Sequence, residues 1–97
     1  MTKKYYTIIV YKSITDAEAL AKYAKLAIPL IAQYGGKVLA GGMPLSTLED
    51  SVPLPVTLLE WDHPDSAHTM YNSPSYQAAL AHFDGKVSRD VRFIEGR

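Results

Sequence analysis

Three stretches of the chain are dense in β-branched and aromatic residues and are bounded by turn-forming residues. Residues 5–12 and 56–61 are apolar at both alternating sets of positions, and residues 90–95 show a similar composition. Apolar residues on both sets predict a strand that is buried on two faces. A shorter stretch, 37–40, runs into a glycine pair that allows a bulge or a close backbone approach. The pattern therefore predicts four strands, with 37–40 at an edge of the sheet.

Helical periodicity fills the first long gap between predicted strands. From Thr15 to Tyr34 apolar residues recur at intervals of three and four, and Thr15 has the spacing to Glu18 of a reciprocal capping box. A kink is predicted near Ala27, because Pro29 removes one backbone donor and crowds the preceding turn. The residues predicted to form the buried stripe of this helix are Leu20, Tyr23, Ala24, Ala27, Ile28 and Ile31.

A second helical region is interrupted by the run Tyr71-Asn72-Ser73-Pro74-Ser75-Tyr76. Two short helices, 63–71 and 74–83, are predicted on either side of this break. Asn72 tolerates the left-handed conformation that ends a helix, Ser73 is a good N-cap, and Pro74 suits the first turn of a new helix. Since the bend brings two tyrosines and an asparagine together, this run is predicted to form the lip of any pocket.

The predicted elements follow the order strand, helix, strand, strand, helix, strand within 97 residues. Right-handed crossovers turn this order into a split βαβ arrangement, an antiparallel four-stranded sheet with two helices on one face. The length fits one α+β domain over residues 1–97. The face of the sheet without helices is still apolar, so we expect a second copy of the chain to cover it in a homodimer.

The composition of the chain mainly excludes certain partners and certain kinds of functional site. Ten basic and ten acidic residues give a formal net charge of zero, so neither nucleic acid nor a membrane surface is an expected partner. The chain has no cysteine, which excludes thiolate metal sites and cysteine nucleophiles. The first five residues lack the cleavage site of a signal peptide, and no apolar run is long enough to span a bilayer. We therefore expect a cytoplasmic protein.

The candidate ligand-binding residues combine polar groups with aromatic surface. A hydroxyl, an amide and phenols near a helix N-terminus can orient a carbonyl or carboxylate group. In the alternative interpretation Asn72 and Ser73 only cap helices, and the tyrosines and Trp61 only fill the core. Arg89 is the best cation for an anionic ligand, with surface ion pairing as its alternative. The predicted ligand-binding residues are Trp61, Tyr71, Asn72, Ser73, Tyr76 and Arg89.

Three histidines are the only side chains whose unperturbed charge changes near neutral pH. They are His63, His68 and His82. The chain lacks the His-x-x-x-His or cysteine-rich spacings of a zinc site, so no metal and no other cofactor is predicted. His68 and His82 are candidate acids or bases if they face the sheet from adjacent helices. The alternative for each is a solvated surface position.

Three segments carry a resemblance to a known family. They are Tyr34-Gly35-Gly36-Lys37-Val38-Leu39-Ala40, the run Tyr71-Asn72-Ser73-Pro74-Ser75-Tyr76 and the closing Glu95-Gly96. With them the sequence resembles domain-of-unknown-function family 1330 over nearly its whole length. The resemblance implies a ferredoxin-like βαββαβ subunit that dimerises sheet to sheet into a dimeric α/β barrel. Its superfamily also holds small monooxygenases, haem-degrading enzymes and muconolactone isomerase, while the family itself has no settled activity.

This chain departs from the family pattern in two informative places. Family members usually carry Arg-Gly-Gly after the second strand, where this chain has Gly41-Gly42-Met43, and usually have glutamate where Ser75 stands. If the arginine and glutamate bind a substrate in relatives, that role is lost or moved here.

Two functional hypotheses from different classes follow. The first is a homodimer that binds a small apolar or aromatic molecule between helices and sheet. The second, by superfamily analogy, is a cofactor-independent monooxygenase or isomerase acting on a small phenolic or lactone metabolite. In that enzyme His68 or His82 would move a proton, and Tyr71 or Asn72 would steady the developing oxyanion. An interaction module without a small-molecule site is a third alternative.

Overall fold

The computed structural model describes residues 3–97, so the first two residues of the N-terminal stretch lie outside it. Within that range the elements are β1 (Tyr5–Ile14), α1 (Ala17–Gln33), β2 (Gly36–Gly42), β3 (Val56–Trp61), α2 (Ser66–Tyr71), α3 (Pro74–Leu80) and β4 (Val87–Glu95). The strands form one antiparallel sheet in the order β2-β3-β1-β4. This confirms the predicted α+β class and the βαββαβ order. The helices of this described range are too short or too polar to cross a membrane.

The two central strands give the sheet two different faces. Thr7 and Ile9 of β1 are buried beside Leu59 and Trp61 of β3, in a register that sets Thr7 opposite Leu59. The helices pack against these residues and form the core with them. We call the opposite side of the sheet the open face, and its apolar residues on the central strands are Tyr6, Ile8, Val10, Val56 and Leu58. Both sets of positions are therefore apolar, but only one set is enclosed by helices.

Helix α1 differs from its prediction at its start and along its stripe. Asp16 is the N-cap, and its carboxylate accepts a hydrogen bond from the Glu18 amide at 2.9 Å. The predicted capping box is wrong because the Thr15 hydroxyl donates to the Lys86 carbonyl, at 3.0 Å, instead of capping the helix. The helix continues past the internal proline as one element. Ile28 was placed in the buried stripe but is 57% exposed.

The break between α2 and α3 occurs where it was predicted. Ser73 is the N-cap of α3, and its hydroxyl accepts a hydrogen bond from the Tyr76 amide at 3.2 Å. Asn72, however, has a right-handed φ of −84°, so the predicted left-handed residue is wrong. The Asn72 amide donates to the His68 carbonyl, which closes the last turn of α2 in a right-handed conformation. Both helices are shorter than predicted, since α2 begins only at Ser66 and α3 ends at Leu80.

The edge strand β2 meets the end of α1 at a position that requires glycine. A Cβ added to Gly36 would lie 2.7 Å from Cζ3 of Trp61 and 2.8 Å from Cγ2 of Ile31. β2 lies at the edge of the sheet, as predicted. Its register shifts between Val38 and Ala40, and not in the glycine pair that follows. This close approach fixes the C-terminal end of α1 over the buried tryptophan.

The other edge strand, β4, begins earlier than predicted, because β1 pairs with it as far as Ile14. At its far end the Gly96 amide donates to the Lys4 carbonyl at 2.7 Å, and a Cβ on Gly96 would lie 2.6 Å from that oxygen. Gly96 belongs to the closing segment Ile94-Glu95-Gly96-Arg97. The contacts of Gly96 make this segment part of the packing of the sheet.

Candidate functional site

An apolar cavity of about 300 Å³ lies between α1 and the sheet, and we call it the α1 cleft. From α1 it is lined by residues that include Tyr23, Ala24, Ala27 and Ile28, and Gly41 is among the sheet residues opposite. Small side chains on facing elements leave this space unfilled. Its volume is at the lower end of the roughly 300–1,000 Å³ of ligand pockets. The α1 cleft can therefore enclose a small organic molecule.

The mouth of the α1 cleft is apolar as well. Ile28 and Val38 both line it, and they are 57% and 50% exposed. Ile28 belongs to α1 and Val38 to the edge strand β2, so the cleft opens to solvent between α1 and this edge of the sheet. The exposure of Ile28, which its periodicity did not predict, follows from this opening.

Three polar side chains from three elements meet beside the cleft, and we call them the Arg89 cluster. Nη1 of Arg89 donates to the Tyr23 hydroxyl at 3.2 Å, and Nη2 donates to the Tyr76 hydroxyl at 3.5 Å. The two phenolic oxygens are hydrogen-bonded to each other at 2.5 Å. Tyr23 comes from α1, Tyr76 from α3 and Arg89 from β4. The cluster thus ties the helices α1 and α3 to the edge strand β4.

The positive charge of Arg89 is surrounded by aromatic rings. Its guanidinium carbon lies 5.8 Å from the ring centre of Tyr11, 5.1 Å from that of Tyr23 and 4.9 Å from that of Phe83. The ion pairs within residues 3–97 involve other cations, and none includes Arg89. Ring faces and phenolic oxygens therefore replace water around a half-buried charge that lacks a carboxylate partner.

The protonation states of the cluster follow from its burial. Burial and the neighbouring Tyr76 raise the pKa of Tyr23 above its ordinary value, although Arg89 acts in the opposite direction. Burial also disfavours the charge of Arg89, but the two tyrosines outweigh it and raise the pKa of Arg89. At neutral pH Tyr23 is therefore a protonated phenol and Arg89 a cation. The cluster presents hydrogen-bond donors and one positive charge.

A second cavity, of about 20 Å³, lies next to the Arg89 cluster. Tyr76 and Arg89 line it, and Tyr23 lines both this small cavity and the α1 cleft. A space of this size holds about one water-sized group. The small cavity is therefore too small to be a second ligand pocket, and Tyr23, Tyr76 and Arg89 are among the few polar residues in its mostly apolar lining.

The structure brings four of the six predicted ligand-binding residues to one place. Trp61, Tyr71, Tyr76 and Arg89 all line the small cavity. Trp61 is buried, and its Nε1 donates to the hydroxyl of Thr7 at 3.0 Å. Asn72 is exposed, while the Ser73 hydroxyl donates to the carbonyl of Met70 at 2.7 Å in addition to capping α3. The geometry of Asn72 and Ser73 is that of helix ends.

The histidines lie away from the α1 cleft. His68 is exposed, and its ring stacks on Phe93 of β4 with the ring centres 4.4 Å apart. His82 is exposed in the turn that follows α3, and His63 is exposed ahead of α2. In the described range 3–97 no group of three or more metal-ligating side chains is close enough to hold a metal ion. These histidines place no acid or base on the walls of the cleft.

Sequence reasoning missed the polar role of Tyr23, which it placed only in the apolar stripe of α1. A signal was present, because the hydroxyl of a tyrosine within a buried stripe needs a hydrogen-bond partner. The partner could not be named from spacing, since Arg89 lies 66 residues further along the chain. The predicted site between helices and sheet had residues 71–76 at its lip, but none of these residues lines the α1 cleft, whose small residues Ala24 and Ala27 lie in the middle of the α1 stripe.

Comparison with known proteins yields a family and several related structures. The family described as "Domain of unknown function (DUF1330)" matches residues 4–97. A protein of unknown function from Rhodopseudomonas palustris has a similar structure, with a TM-score of 0.75 and 19% identity over 97% of this chain and 82% of that chain. Comparison with curated proteins gives no match.

Two further structures share the fold at lower similarity. A dimeric protein of unknown function with a ferredoxin-like fold, from Bacteroides fragilis, has a TM-score of 0.63 and 15% identity over 95% of each chain. SnoaB, a cofactor-independent oxygenase from Streptomyces nogalater, has a TM-score of 0.61 and 12% identity over 100% of this chain and 95% of that chain. These similarities confirm the predicted ferredoxin-like fold.

Proposed function

This chain belongs to the DUF1330 family, which spans residues 4–97, and on that premise we propose that it is a homodimer that binds a small apolar or aromatic molecule in the α1 cleft. The observation that carries the proposal is the apolar cavity of about 300 Å³ between α1 and the sheet. Ligand sites are mostly apolar and contain a few convergent polar groups. The Arg89 cluster supplies such groups at the wall formed by Tyr23.

The open face of the sheet supports the homodimer. Its central strands carry five apolar side chains, and Ile94 of β4 is 48% exposed on the same side. Apolar side chains on a sheet face that no helix covers are typical of a protein interface. The structural relative from Bacteroides fragilis is described as dimeric and has the same fold. We propose that two copies pack sheet to sheet, and the cytoplasmic location stays a prediction.

Filling the cleft should abolish binding. Ala24→Phe places a ring in the cavity, because Ala24 lines the cleft from α1. We expect the affinity for N-phenyl-1-naphthylamine, an uncharged aromatic probe, to fall by about tenfold or more, since the ring occupies the probe's volume. A fluorescence titration of the wild type and the variant measures this change.

Ala21→Phe is the matched control. Ala21 lies on the same helix, is exposed and does not line the cleft, so this variant should bind the probe as the wild type does. Equal binding by Ala24→Phe and wild type, or no saturable binding by the wild type, would contradict the proposed function.

A second candidate function is a cofactor-independent monooxygenase or isomerase, and the Arg89 cluster is the observation that favours it. A guanidinium and a phenolic hydroxyl beside an apolar cavity stabilise the negative charge that develops on oxygen when a phenol or lactone loses a proton. SnoaB, which has the same fold, is described as a cofactor-independent oxygenase. The exposed positions of His68 and His82 leave the proton acceptor of such a reaction unassigned.

The oxygenase form of this candidate is tested by oxygen uptake. With 1-naphthol as substrate, we expect the wild type to consume oxygen faster than buffer does. Arg89→Met should lower that rate by about tenfold or more, because the developing oxyanion loses its cation. An oxygen electrode measures both rates. Wild-type uptake equal to that of buffer would leave ligand binding as the function of the cleft.

A further inference from the structure

The Arg89 cluster has more hydrogen-bond donors than acceptors. A guanidinium carries five N–H donors, and those of Arg89 make one bond to Tyr23 and one to Tyr76. The Tyr23–Tyr76 bond uses one phenolic hydrogen. The other phenolic hydrogen and the remaining guanidinium hydrogens have no acceptor among the side chains and carbonyls of residues 3–97. The cluster therefore has donor capacity beyond the bonds made within it.

The charge of Arg89 also has no carboxylate partner among the ion pairs of residues 3–97. Asp90 follows Arg89 in β4 but points to the open face, where both its oxygens accept from Arg92 at 3.0 Å. Asp16, near the start of α1, pairs with Lys86 at 3.6 Å. A half-buried cation without a carboxylate is costly unless another anion approaches it. The spare donors of the cluster and its positive charge without a carboxylate partner are therefore both suited to an anionic oxygen.

The shape of the site fits one oxygen attached to an apolar body. The small cavity beside Arg89 and Tyr76 has about 20 Å³, enough for about one water-sized group. It shares lining residues with the α1 cleft, among them Ile9, Tyr23 and Leu59. Tyr23 lines both cavities and its hydroxyl accepts a hydrogen bond from Arg89, so Tyr23 is where a molecule in the cleft adjoins the cluster.

We propose that the ligand of the α1 cleft is a small planar apolar anion whose carboxylate or phenolate oxygen binds the Arg89 cluster. This inference rests on the proposed function and adds the charge of the ligand to it. The anionic oxygen accepts the unused N–H and O–H hydrogens, and charge-assisted bonds of this type are about twice as strong as neutral ones. A neutral molecule of the same shape can offer a carbonyl acceptor but no negative charge, so its hydrogen bonds to the cluster are weaker.

A matched pair of probes tests the charge preference. 2-Naphthoate and 2-naphthamide have the same aromatic body and nearly the same size, but only the first is an anion at neutral pH. Isothermal titration of the wild type should show about tenfold or greater preference for 2-naphthoate. Arg89→Met should abolish this preference while 2-naphthamide still binds. Arg89→Lys should retain part of it, because the charge stays but the forked donor geometry is lost.

Arg97→Met is the matched control, since Arg97 is an exposed arginine that lines neither cavity and its loss should leave the preference unchanged. Equal affinities for the two probes in the wild type would overturn the inference, as would a preference that survives Arg89→Met. Either outcome would still be consistent with the proposed function if the uncharged N-phenyl-1-naphthylamine binds the wild type and Ala24→Phe blocks that binding. If the wild type does not bind N-phenyl-1-naphthylamine either, the proposed function and the inference are both contradicted.

Discussion

Replacing Leu58 by aspartate is expected to convert the proposed homodimer into a monomer. Leu58 lies on the open face of the central strand β3, paired with Ile8 of β1. In a sheet-to-sheet dimer the new carboxylate would be buried without a partner, and an uncompensated buried charge costs several kcal/mol. Native mass spectrometry at micromolar protein concentration should show the dimer for the wild type and half its mass for Leu58→Asp.

The control for this experiment is Leu26→Asp. Leu26 is an apolar residue of α1 with 45% exposure, and α1 lies on the side of the sheet that is opposite the open face. An aspartate there stays in water, so the dimer should persist. A monomeric wild type would contradict the proposed homodimer. A Leu58→Asp variant that stays dimeric would show that the chains associate through a different surface.

Trp61→Ala is expected to lower the free energy of unfolding by about 3–5 kcal/mol. Trp61 is 1% exposed, contacts the close-packed Gly36 and donates its indole hydrogen to Thr7. The substitution leaves a large void between the helices and the sheet, and it leaves the buried hydroxyl of Thr7 without its donor. For a chain of this size the melting temperature should fall by about 12 °C or more.

Trp61→Phe separates the two contributions to this loss. It removes the hydrogen bond but keeps a six-membered aromatic ring in the core, so the void is smaller and we expect less than half of the destabilisation caused by alanine. Trp61 is the only tryptophan, so far-UV circular dichroism is the measurement, at a fixed protein concentration because a dimer unfolds in a concentration-dependent way. A loss below about 1 kcal/mol for Trp61→Ala would show that the site collapses around the missing ring.

Local chemistry explains why the helix break could be predicted and where the prediction failed. Ser73 caps α3 as predicted because an N-cap depends on residues only three positions away. Asn72 permits a left-handed conformation but does not require one, and the backbone bonds that end α2 keep it right-handed. Thr15 had a plausible local partner in Glu18. Its hydroxyl instead bonds the Lys86 carbonyl, 71 residues away, which no local pattern shows.

Part of the Arg89 cluster was predicted from the sequence, but the α1 cleft was not, since none of the six predicted ligand-binding residues lines it. Tyr76 was named as a phenol at the predicted bend, and Arg89, just before the predicted last strand, was named as the best cation for an anionic ligand. Their meeting with Tyr23 depends on the position of β4 beside β1, in the register that places Arg89 opposite Tyr11. Sequence periodicity contains no information about which strands become neighbours at an edge.

The sequence alone determined the order and type of the elements and the two apolar faces of the central strands, because capping, turns and alternation depend on neighbouring residues. Only the tertiary structure decided that small residues on α1 and β2 face each other across empty space. It alone also decided that Arg89 meets two phenols and no carboxylate. Cavity volume and charge compensation depend on side chains that are distant in sequence, so they are properties of the packed chain.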